Sequence, residues 1–63
     1  MTLTQRARIN ALHAPSIEAA EARLATAEAE FQAGYGEDYP GAIEDARRAV
    51  LEARTRRSYD LAL

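Results

Sequence analysis

The chain has no cysteine, no tryptophan and no lysine, and only one histidine, one methionine and one phenylalanine. Without cysteine there is neither a disulfide nor a thiolate metal site. A lone histidine, His13, leaves no His-x-x-x-His or Glu-x-x-His arrangement for zinc or a di-iron centre. The nearest carboxylate to it in sequence is Glu18, beyond a proline, so His13 reads as a surface or helix-end residue. There is no apolar run long enough for a membrane span and no apolar core of a signal peptide. Net charge is −2, which argues against a general attraction to nucleic acid or anionic lipid. All eight basic residues are arginine. Glycine and proline are sparse, at three and two residues, so the chain has few places to turn.

What is present is a 63-residue chain, 48 % hydrophobic, in which much of that fraction is alanine. Alanine favours helix but contributes little burial. A chain of this size buries only about 60 % of its unfolded surface and ordinarily needs disulfides, metal or oligomerisation. Composition excludes the disulfide, and a single histidine leaves little for a structural metal site. Association is what remains.

Ile17, Leu24 and Phe31 stand seven residues apart, with Ala20 and Ala27 three residues after the first two. Such a stripe, one large side chain and one alanine per two turns, requires a closely packed neighbouring helix. The punctuation divides the chain. Thr2 and Gln5 have capping-box spacing, which predicts a short helix or arm over residues 1–13. Ala14-Pro15 predicts a break, because the residue before proline disfavours helix. Ser16 is then expected to cap a second helix, to about Ala33, with Gly34 just past its end. Residues 34–40 read as the connector, with Asp38 capping a third helix from about Pro40 to Tyr59. These boundaries give an N-terminal arm, residues 1–15, and an alanine-rich hairpin domain, residues 16–63.

The third segment carries the matching face: Ile43, Ala46, Val50 and Ala53. Charge agrees with an antiparallel pairing. Glu18, Glu21, Glu28 and Glu30 against the single Arg23 make the second segment acidic. Arg47, Arg48, Arg54, Arg56 and Arg57 against Glu52 make the third basic, and the arrangement sets arginines beside Glu18 and Glu21.

Candidate chemistry is thin. Glu37/Asp38 and Glu44/Asp45 are adjacent pairs, which do not face one another on a helix, and no calcium-loop spacing is present. No nucleophile–base motif and no phosphate loop occurs. The only basic cluster is Arg47–Arg57, a candidate contact for nucleic-acid phosphates with Tyr59 available to stack. Its alternative role is in ion pairs with the acidic helix. Tyr35, Tyr39, Tyr59 and Phe31 gather at the connector and tail, where amphipathic aromatics suit an interface.

Tyr39, Ala42-Ile43 and Ala49 give an aromatic, an alanine three residues on and another seven later. Over about a third of the chain this resembles the second half of a tetratricopeptide repeat, which implies a helical hairpin. The large aromatic and Leu-Gly positions of the repeat's first helix are missing, Gly36-Glu37-Asp38-Tyr39 interrupts its Gly-Asp-Tyr element, and no terminal proline follows. The resemblance is one of alanine-hairpin geometry.

The expected fold is all-α: an antiparallel helical hairpin with a short N-terminal helix or arm, completing a bundle by oligomerisation or docking. The expected seam is Ile17, Ala20, Leu24, Ala27, Phe31, Ile43, Ala46, Val50 and Ala53. Leu3, Ile9, Leu12, Tyr59, Leu61 and Leu63 are expected to meet another chain. The function expected is a non-enzymatic assembly or adaptor subunit, cytoplasmic or part of an intracellularly assembled particle. Its partners would be proteins, with no cofactor, small-molecule ligand or membrane. The alternative is a nucleic-acid-associated regulator using the arginines.

Overall fold

The computed structural model describes residues 1–34 and 41–62, and two helices account for nearly all of them. Helix α1 spans Leu3–Gln32 and α2 spans Ala42–Ala62. Early residues of α1 meet late residues of α2: His13 bonds Asp60, and Glu21 bonds Arg54. The helices are therefore antiparallel, and the all-α hairpin expected from the sequence is the fold. Tyr35, Asp38, Tyr39, Pro40 and Leu63, with the roles expected of them, lie outside the described residues.

The start of α1 is the capping box. The Gln5 amide donates to Thr2 Oγ1 at 3.1 Å, and the Thr2 amide donates to Gln5 Oε1 at 2.8 Å. Two of the four orphan amide groups of a helix start are thereby satisfied. At the other end Gly34 has φ +92°, and its amide donates to the Phe31 carbonyl at 3.1 Å. Only glycine adopts that backbone without cost, which is why α1 stops there.

The break expected at Ala14-Pro15 is absent, because α1 passes through Pro15. Proline has no amide hydrogen, so the Ala11 carbonyl loses its usual partner, at a cost of about 3 kcal/mol in a helix interior. The segment is held from both sides. The capping box anchors the start, His13 is bonded to α2, and Ile17 is buried against it. Continuous helix keeps all three, whereas a break would free the first two from the third. Ser16 is consequently an exposed mid-helix residue, with no cap role. Glu18 and Glu21 lie mid-helix, away from any helix start.

Helix α2 also differs at its end. It opens with the Asp45 amide donating to the Gly41 carbonyl at 2.9 Å, with Glu44 and Asp45 in its first turn. It runs three residues past Tyr59, to Ala62, so no arginine lies in its last turn. The added turn brings Asp60 and Leu61 into the hairpin, both half-buried.

The contact is narrow. Among the described residues Ile17, Ala46 and Val50 are the buried apolar ones, and Ala46 is fully enclosed. Ala20, Leu24, Ala27, Ile43 and Ala53 are half-buried around them. An enclosed alanine places one helix backbone against the other, as small residues at a crossing allow. Phe31 departs from its expected seam role: it is 62 % exposed. The levels set by Glu21–Arg54 place Phe31 beside the first turn of α2, where that helix has only begun.

The hairpin is long and thin, 47 × 14 × 11 Å, with a radius of gyration of 14.7 Å. A compact chain of this length would have about 10.6 Å. Because His13 is level with Asp60 and α2 ends two residues later, α1 projects beyond α2. The overhang, from Leu3 to Asn10, is about 12 Å of helix.

Candidate functional site

The side chains that do more than fill space stand at the open end of the hairpin, where the overhang begins. Residues 13, 17, 20, 24 and 27 of α1 and 43, 46, 50, 53, 57 and 60 of α2 alternate by threes and fours. All are buried or half-buried. His13 is the position seven before Ala20, and Asp60 is seven after Ala53. Both therefore belong to the seam stripe, and both are polar.

His13 Nε2 lies 2.5 Å from Asp60 Oδ2, the imidazole largely covered and the carboxylate half-exposed. The Nε2 hydrogen donates and the carboxylate accepts. This corrects the sequence reading of His13 as a surface or helix-end residue: it lies mid-helix and largely covered. The signal was available: extending the heptad stripe by one repeat in each direction reaches both residues. A His–Asp pair holds two members of a proton relay. A nucleophile bonded to it would be the third, and no third polar side chain is bonded to it among the described residues. The Ser58 hydroxyl, one turn or less from Asp60, is spent on the Arg54 carbonyl at 3.0 Å. No group of three metal-ligating side chains occurs among the described residues. The arrangement favours one helix register. A polar contact inside an apolar seam is satisfied only when the helices meet at one offset.

Beyond the pair, Met1, Gln5, Arg8 and Ile9 wall an open notch of about 580 Å³ that Asp60 closes on one side. It exists because α2 ends and α1 continues. Around it the residues expected to meet a partner are unevenly covered. Leu3 is 84 % exposed, Leu12 72 % and Tyr59 71 %. Ile9 is half-buried, as is Leu61, which the hairpin itself engages.

The arginines do not form one face. At about 100° per residue, Arg47 and Arg54 share one side of α2, Arg48 points to another, and Arg56 to a third. Arg57 takes a seam position and is half-buried. Arg54 donates to Glu21 Oε1 at 3.2 Å, the ion pair expected between the arginine-rich and acidic segments. The pair is half-exposed on both sides, which limits its contribution to under about 1 kcal/mol.

Among the described residues, no helix is long and apolar enough to cross a membrane. Comparison of the chain with protein-family models, with curated proteins and with solved structures finds no match.

Proposed function

We propose that this chain is a non-enzymatic assembly subunit, which works by binding protein, either another copy of itself or a larger complex. The observation that carries this reading is the imbalance between core and surface. Among the described residues three apolar ones are buried, whereas Met1, Leu3, Leu12, Phe31, Leu51 and Tyr59 are more than half exposed. Isolated exposed apolar residues are ordinary, but a chain with twice as many large ones outside as residues inside is short of burial.

A seam of heptad spacing, fixed in register by one polar pair, is also how coiled-coil-like modules specify geometry. An adaptor or structural role fits a molecule that is mostly surface. The absence of cysteine suits the cytoplasm or a particle assembled inside the cell. Sedimentation equilibrium at micromolar concentration tests the reading. It predicts a mass above that of one chain, and a fully helical monomer would overturn obligate association.

A further inference from the structure

We propose that a second copy of this chain covers the face of the hairpin that carries Leu12 and Tyr59, its α2 lying antiparallel along the first copy's α1. The proposal rests on the association reading above and names its surface and partner.

The area comes first. The chain exposes 4997 Å². A compact monomer of 6.9 kDa would expose about 4,000 Å². The excess, about 1,000 Å², matches what one partner contributes to a standard stable interface, about 800 Å².

The second observation is a second stripe. On α1, residues 12, 16, 19 and 23 are spaced four, three and four apart, so they share one side of the helix. On α2, residues 49, 52, 56 and 59 are spaced three, four and three apart. The two stripes face the same way, because Ser16, Ala19 and Arg23 wall one groove with Ala49, Glu52 and Arg56. Each stripe has an exposed large residue at the open end of the hairpin, Leu12 on α1 and Tyr59 on α2. Each of these immediately precedes a member of the His13–Asp60 pair. The alanines between allow another helix to approach closely.

Charge decides the orientation. Glu21 is level with Arg54, so two residues further on Arg23 is level with Glu52. A two-fold axis along the hairpin's length keeps levels unchanged and sets each α1 over the partner's α2. Arg23 then meets Glu52 of the partner subunit, and by the same levels Ser16 meets the partner's Tyr59, with Leu12 one turn beyond, twice each by symmetry. The resulting four helices run alternately up and down. The same chemistry serves both halves, so no other protein need be invoked.

Two experiments test this. Arg23→Glu and Glu52→Arg chains are made separately, with far-UV circular dichroism confirming that each is helical. Each alone sets like charges together twice and should self-associate at least about tenfold more weakly than the wild type. Mixed in equal amounts, they should recover association, because both contacts become opposite-sign across the pair. Damage to a contact within one chain would not be cured by mixing. In the second, a Ser16→Cys chain is mixed with a Tyr59→Cys chain of different mass under mild oxidation. A disulfide joining the two species supports the face, and a Ser16→Cys product linked only to itself overturns the orientation. A wild type that dimerises with neither recovery on mixing nor the cross-link overturns this surface alone. A wild type that stays monomeric overturns the association reading with it.

Discussion

Replacing Pro15 by alanine should stabilise the protein, and the size of the effect follows from the position. Residue 15 is exposed within α1, so removing the pyrrolidine ring leaves no cavity. The new amide can donate to the Ala11 carbonyl, a bond worth about 0.5–1.5 kcal/mol net. The intrinsic difference between proline and alanine inside a helix is about 3 kcal/mol, a figure that already includes that bond. Against it stands the stiffness proline gives the unfolded chain, about 0.4–1 kcal/mol. The balance is about 2 kcal/mol, which for a chain of this size is a rise in midpoint of about 8–16 °C. Thermal unfolding followed at 222 nm, wild type and variant at one concentration, measures it directly. Ser16→Ala supplies the control. In a continuous helix the change is neutral or slightly stabilising, because serine is the poorer helix former. As an N-cap it would cost about 1 kcal/mol. A Pro15→Ala variant no more stable than the wild type, together with a destabilised Ser16→Ala, would refute the continuous helix and restore the broken arm.

Three further outcomes follow from burial and backbone. Leu24→Asp should abolish the far-UV helical signal, since a carboxylate in the seam costs about 3 kcal/mol or more, whereas Phe31→Asp should change stability by under about 0.5 kcal/mol despite sharing the heptad position. Gly34→Ala should lower stability by about 1–2 kcal/mol in denaturant titrations, because φ +92° is strained for any side chain. Arg54→Gln should cost under about 1 kcal/mol, and the difference should shrink as salt is raised from low to molar concentration.

The hairpin, its antiparallel sense and the Glu21–Arg54 pairing were legible because periodicity and charge are properties of the sequence itself. Gly34 and the Thr2–Gln5 box were legible because their chemistry is local. Pro15 misled for the same reason. The rule that a residue before proline leaves the helix describes a local preference of a few kcal/mol, and anchors on both sides outweigh it. His13 and Asp60 were hidden by type, since polar residues do not register in a search for an apolar stripe, although their spacing fits it. Phe31 fits the stripe but lies where α2 has only begun, and a stripe on one helix cannot report the length of its neighbour. The residues marked for a partner divide along the same line. Leu12 and Tyr59 are left outside by the pairing of the helices, and Leu61 is drawn in when α2 extends by one more turn.

We infer that this hairpin completes its burial by association. Thermal unfolding followed by circular dichroism across a hundredfold range of concentration tests it most directly. For a dimer the range is worth about 2.7 kcal/mol, so the midpoint should climb steadily with concentration. A midpoint that does not move, in a chain that remains helical, would show that the hairpin is stable as a monomer.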